Sequence, residues 1–208
     1  MEGRHIVVTG GRGALGEGVV AALTSRGAIV HVPGREVRFD DEAAVTAYYA
    51  SLPAVWGSVH VIGGFAMAPI ADASLAQLED QFKTNTVTCF LACREAVRAM
   101  RKSGGGRIVN VASRAAVTPS PKMTAYVASK GAVVAFTQSL AAEVLDDNIL
   151  VNAVLPGTID TPANRAGMPQ ADFSRWAKPA EIAEAIAFLV SPANTLTTGT
   201  LVPVYGRS

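Results

Sequence analysis

Short, continuous apolar runs alternate along this chain with longer stretches whose apolar residues recur at helical spacing. "HIVVTG" (5–10), "AIVHV" (28–32), "VHVIGG" (59–64), "RIVNVAS" (107–113), "ILVNAVLPG" (149–157) and "GTLVPVYG" (199–206) read as buried strands, with "VRF" (37–39) as a further short one. Between them the pattern predicts helices over 14–26, 40–52, 74–102, 126–145 and 180–190. Strands without polar alternation, separated by helices, build a parallel sheet covered on both faces.

Right-handed crossovers wind such a sheet double. The expected fold is therefore a single Rossmann-type, doubly wound α/β domain over residues 1–208, with about seven parallel strands and helices on both faces. Ligands bind such sheets outside the carboxyl ends of the strands, so the residues just after each strand are the ones to inspect.

"VTGGRGALGEG" follows the first strand and opens the first helix. Glycine lets a pyrophosphate approach the backbone, and the helix N-terminus offers unpaired N–H groups. Gly10, Arg12, Gly13, Ala14, Leu15 and Gly16 are the candidate phosphate cradle. The second strand runs into "HVPGRE". An acid there suits a free ribose 2′-hydroxyl and an arginine suits a 2′-phosphate. Arg35, helped by Arg12, favours NADP(H), while Glu36 one residue on leaves NAD(H) open.

A second polar set follows the later strands. Ser113 ends one strand, Tyr126 opens a helix, and Lys130 lies one turn further on the same face. Asn85 sits inside a long helical stretch, where asparagine is a poor helix former and a local break would free a carbonyl for water. Carbonyl reduction needs a hydride and a proton. A tyrosine near pKa ~10 is a sluggish acid, and a neighbouring ammonium favours its phenolate. Ser113 then suits the substrate oxygen.

Composition narrows the class. Of 208 residues, 50% are apolar and 17% charged, enough to fill a large core, and the net charge of +1 steers neither nucleic acid nor an anionic membrane. No apolar run approaches the ~20 residues of a membrane span. The start, "MEGRHIVVTG", lacks the basic region and long apolar stretch of a signal peptide. Cys89 and Cys93 are the only cysteines, with no histidine near them in sequence, so the expectation is no metal and a reducing, cytoplasmic setting.

With these motifs in order, the chain resembles the short-chain dehydrogenase/reductase family over nearly its whole length. The matching residues are Thr9-Gly10 through Gly16, then Asn85, Ser113, Tyr126 and Lys130, then "PGTIDT" from Pro156 to Thr161. The resemblance implies an NAD(P)-dependent oxidoreductase of a small carbonyl or alcohol, with those four residues catalytic. It implies that Tyr126, Lys130, Pro156, Gly157, Thr158 and Thr161 also contact the nicotinamide half. It implies a substrate loop at about 157–178 and a homodimer or homotetramer through helices 75–102 and 126–145.

The family's Asn-Asn-Ala-Gly is replaced by "VIGG", leaving Gly63 and Gly64 as backbone contacts, and Asp40 as an adenine contact. This "GGF" and the 160–176 loop are similar to dihydropteridine reductase-like members, which makes quinonoid dihydropteridine reduction an alternative. In that loop Met168, Phe173 and Trp176 suit apolar pocket walls, and Arg165 or Arg175 an anion contact. A nucleotide-binding regulator without turnover is the alternative of another class.

Overall fold

In the computed structural model, which describes residues 1–207, alternating apolar side chains along each strand build two cores on one sheet. The strands are β1 (His5–Thr9), β2 (Ile29–His31), β3 (Gly57–His60), β4 (Gly106–Val111), β5 (Ile149–Pro156) and β6 (Leu201–Val204). All neighbours are parallel, in the order β2-β1-β3-β4-β5-β6. The helices are α1 (Ala14–Thr24), α2 (Glu42–Ala50), α3 (Leu75–Phe82), α4 (Thr88–Lys102), α5 (Thr124–Glu143), α6 (Pro162–Gly167) and α7 (Pro179–Val190).

Ile6, Val8, Val59, Val109 and Val154 pack with α1 and α7 on one face. Val7, Ile108, Val151 and Leu155 pack with α2, α4 and α5 on the other. Each fully buried aliphatic side chain is worth about 1.5–3 kcal/mol, so both faces are anchored strongly. The chain leaves β1 for β2 in one direction and crosses back to β3 in the other. The crevice at the carboxyl ends of β1 and β3 is therefore the topological switch point.

Among the described residues there are six strands, not seven. The segment expected as a strand at 37–39 runs as turns, with Val37 N–H donating to the Gly34 carbonyl (3.2 Å) and Asp41 N–H to that of Arg38 (3.1 Å). Phe39 drops into the core instead of pairing at the sheet edge. The third strand leaves the sheet after His60 rather than at residue 64. The long helix expected over 74–102 is broken by a π-helical turn at Lys83–Val87, centred on Asn85. Such insertions mark places where a helix is held out of register by something else, usually a site.

Candidate active site

The glycine loop is shaped by backbone crowding. Gly10 has φ +68°, and a Cβ there would lie 2.9 Å from the Ile62 nitrogen. A Cβ on Gly16 would lie 2.1 Å from the Gly10 carbonyl oxygen. Only glycine fits at either position. Gly13 ends the turn by donating to the Gly10 carbonyl (3.0 Å) and is the N-cap of α1, with no side chain to satisfy the helix's first N–H groups. Those N–H groups and the dipole behind them are a built anion cradle.

A cavity of ≈ 750 Å³ opens over this loop, lined by Gly10, Arg12 to Gly16, the Pro33–Val37 turn, Phe39 and Val61 to Gly63. Its donors and shape fit a dinucleotide. Arg12 and Arg35 both line it, and so does Glu36. The Glu36 carboxylate accepts from Gly34 N–H (3.0 Å). Hydrogen bonds from its own backbone N–H and from that of Gly34, with Arg12 nearby, hold it below the usual carboxylate range. The end of β2 thus presents both signs of charge.

Asp40 is placed differently from the sequence expectation. It lies outside the lining of the cavity and is bound by Arg38 (3.3 Å) and Lys83 (2.9 Å), which hold its carboxyl down at about 2. Phe39 supplies the wall in its place.

The second half of the site lies across the same sheet edge. Ser113 follows β4 and accepts from Ala115 N–H (3.2 Å), which keeps its side chain turned inward. Tyr126, in the first turn of α5, stands close enough to Ser113 for that hydroxyl to act on its phenol. Burial pushes the Tyr126 phenol above its usual value, and the Ser113 hydroxyl offsets this in part. Lys130, one turn on, is buried and donates to the Val111 carbonyl (2.8 Å). Burial brings its ammonium down to about 8, with Cys89 pulling the other way.

Asn85 joins these parts. Its Oδ1 accepts from Gly64 N–H (2.9 Å), and its Nδ2 donates to the Gly64 carbonyl (3.1 Å) and to Ser129 Oγ (3.0 Å). Ser129 in turn donates to the Tyr126 carbonyl (2.8 Å). A Cβ on Gly63 would sit 3.0 Å from Asn85 Oδ1 and 3.2 Å from Lys130 Nζ, so that glycine forms the lid over both. Phe65 then stands edge-on to the Tyr126 ring, with centroids 5.0 Å apart and planes at 78°. Ser129 and Phe65 are the two site residues that sequence reasoning missed. The signal for Ser129 lay inside "YVASK" itself, as the one hydroxyl between Tyr126 and Lys130.

The segment after β5 closes on itself. Pro156 still pairs with Val204, and an isolated parallel bridge joins Ile159 to Ala177. Gly157 and Thr158 fill the short link between that strand and the bridge. Thr161 caps α6 by accepting from Asn164 N–H (3.2 Å). Arg165 is paired with Asp160 (2.6 and 2.8 Å) and lies over Phe173, while Arg175 donates to the Arg207 carbonyl (2.9 Å). Neither arginine is the free anion contact that the sequence suggested. Phe173 packs on the buried Trp176 with centroids 4.8 Å apart, so these rings fasten the loop, whereas Met168 stays exposed. His60, remote from the two cysteines in sequence, lies beside both of them in space.

A phosphate cradle and a half-buried tyrosine backed by a buried lysine, on one sheet edge, are the working parts of a nicotinamide-dependent oxidoreductase. The chain belongs to the short-chain dehydrogenase/reductase family. The family profile described as enoyl-(acyl carrier protein) reductase matches residues 1–206. Cyclopentanol dehydrogenase of Comamonas sp. (strain NCIMB 9872) is 31% identical over 217 residues, spanning 99% of this chain and 87% of that protein. A short-chain type dehydrogenase/reductase from Mycobacterium ulcerans superposes with a TM-score of 0.93 at 24% identity, over 100% of this chain and 90% of the other. ElxO with NADP bound superposes at 0.91 and 20% identity, over 99% and 98%. These two structures share the fold. Among the described residues, no helix is long and apolar enough to cross a membrane.

Proposed function

We propose that this protein interconverts a small carbonyl compound and its alcohol using NADP(H), with Tyr126 as the general acid/base. The observation that carries this reading is Lys130, buried one helical turn behind Tyr126 on α5, with Ser113 buried at the end of β4 and acting on the Tyr126 phenol. When bound, the nicotinamide supplies or accepts the hydride. Ser113 holds the carbonyl oxygen, and Tyr126 gives that oxygen a proton as negative charge develops on it. The Lys130 ammonium favours the resulting phenolate and holds the ribose. Asn85 fixes Gly64 and Ser129, and through them the position of Tyr126. Pro156, Gly157, Thr158 and Thr161 border the nicotinamide, as in the family pattern. Gly64 and Asp40 act from outside the cavity lining, Gly64 through Asn85 and Asp40 through Lys83.

Arg12 and Arg35 support NADP(H), as does the bound NADP of ElxO, and Glu36 keeps NAD(H) as the weaker partner. The name of the Comamonas relative supports a secondary, alicyclic alcohol as substrate. Quinonoid dihydropteridine reduction is the second reading, favoured by Phe65, an aromatic surface beside Tyr126 that suits a flat ring. Assaying cyclopentanone against a quinonoid dihydropterin separates the two. A second copy of the chain docks on α3, α4 and α5, where Phe90 is exposed and packs on Phe136 at 5.6 Å. Two buried, unpaired cysteines suit a reducing cytoplasm.

Tyr126→Phe tests the mechanism. Turnover falls by about 10²–10⁴ while NADPH affinity holds, since a positioned acid is worth that much. Unchanged turnover of every substrate would overturn the proposed role of Tyr126. Binding without turnover in the wild type would leave a nucleotide-binding regulator.

A further inference from the structure

We infer that His60, Cys89 and Cys93 form a binding site for one soft divalent cation, zinc or a chemically similar ion, beneath the floor of the nucleotide cleft. None of the three takes part in the reaction proposed above.

Cys89 and Cys93 stand one turn apart on α4, so both thiols leave the same side of the helix, and both are buried. His60 is the last residue of β3, paired in register with Asn110 of β4. Its Nδ1 is 3.3 Å from Cys93 Sγ. One imidazole nitrogen and the two sulfurs lie within 4.8 Å of one another, and among the described residues no other such group of three occurs. With metal–sulfur bonds of ~2.3 Å and metal–nitrogen bonds of ~2.0 Å, a tetrahedral ion separates its ligand atoms by roughly 3.3–3.8 Å. The His60–Cys93 separation of 3.3 Å falls in that range, and Cys89 Sγ, within 4.8 Å of both, needs to move by at most about an ångström.

Asn110 offers the fourth donor. Its Oδ1 is 2.8 Å from His60 Nδ1 and 3.4 Å from Cys93 Sγ. Its orientation follows from its neighbours. The Thr137 hydroxyl donates to the Val133 carbonyl (2.7 Å), so it accepts from Asn110 Nδ2 (2.9 Å), which turns Oδ1 to the cluster. On the far side of the imidazole, Ser58 Oγ lies 2.8 Å from Nε2 and Tyr49 OH lies 2.7 Å from Ser58 Oγ. With Nδ1 on the ion, the ring proton moves to Nε2 and Ser58 accepts it, the support that metal-bound histidines commonly have.

The donor chemistry balances. Two thiols lose their protons to solvent as the dication enters, and two thiolates, a neutral imidazole and a neutral amide leave no net charge in the core. The cluster lies close to the cleft: Cys89 is one turn beyond Asn85, and a Cβ on Gly63, which lines the cavity, would stand 3.0 Å from Asn85 Oδ1.

The test uses the whole protein, stripped with a chelator, loaded with zinc or cobalt and passed through a desalting column. The expected result is about one retained ion per chain and, with cobalt, thiolate-to-metal charge-transfer absorption together with the visible bands of a tetrahedral site. Cys89→Ser and Cys93→Ser each lose the ion and the bands. His31→Ala keeps them, because the His5–His31 pair is the control for adventitious binding. No retained ion, or retention that survives both cysteine variants or depends on His31, overturns the site. If the variants fail to fold, the wild type decides. Zinc must slow alkylation of both cysteines under mild denaturation, as read by mass spectrometry, and equal rates with and without zinc reject the proposal.

Discussion

Asn85 holds Gly64 by both its N–H and its carbonyl, at 2.9 and 3.1 Å, from a π-helical turn that interrupts the α3–α4 stretch. The break in the helix and the departure of the chain from β3 are two sides of one contact. The amide side chain replaces the sheet partners that Gly64 gives up, and the inserted residue turns that side chain to face it.

Asn85→Ala leaves the Gly64 N–H and carbonyl without their buried partner and removes a donor from Ser129. The expected loss is about 1–2 kcal/mol of unfolding free energy, since the Gly64 groups are part-buried and water takes over some of what Asn85 gives up. Urea unfolding with an unchanged m-value checks it. A loss below about 0.5 kcal/mol would show that the clamp is redundant.

Two glycines in the nucleotide loop should respond differently. Gly16→Ala puts a methyl 2.1 Å from the Gly10 carbonyl oxygen, whereas Gly13→Ala meets nothing nearer than 3.4 Å. Gly13→Ala therefore keeps the wild-type melting temperature to within a few degrees. Gly16→Ala shifts the loop and loses NADPH binding by at least about tenfold. Thermal unfolding and fluorescence titration read both outcomes.

Cofactor choice rests on opposite charges that line one cavity. Arg35→Ala lowers the NADPH-over-NADH preference by about ten- to a hundredfold, the worth of one charge-assisted contact of ~1.5–3 kcal/mol. Glu36→Gln moves the ratio the other way by removing a carboxylate from the same wall. An unchanged affinity ratio in Arg35→Ala would exclude phosphate recognition there.

Lys130 carries a pH signature. Its value is brought down from 10.5 to about 8 by burial, so above pH 8 the folded protein loses the ammonium. Between about 8 and 10.5 the unfolded chain binds more protons than the folded one, so Lys130 makes stability rise with pH across that window. The charge that holds the cofactor ribose falls over the same range. NADPH affinity should weaken above pH 8 in the wild type, and Lys130→Met should flatten both profiles.

Periodicity and motif order were enough for the parallel sheet, for the glycine turn that opens α1, and for placing Ser113 after β4 and Tyr126 and Lys130 a turn apart on α5, because these depend on local rules. β-branched runs pair, glycine alone fits where backbones crowd, and residues four apart share a helix face. The strand expected at 37–39 became turns as Phe39 dropped into the core, and Asp40 is held by remote Lys83 as well as by its neighbour Arg38. The local break that Asn85 invites took the form of a π-helical turn clamped to Gly64 and Ser129. Partners remote in sequence enter each of these outcomes. His60 is the clearest example, twenty-nine residues before Cys89 along the chain yet in one buried cluster with it, as is plain from their numbering. Spacing along a chain reports which side chains share a face. Which faces then meet is decided by the packing of α4 against β3 and β4, and that is a property of the folded sheet alone.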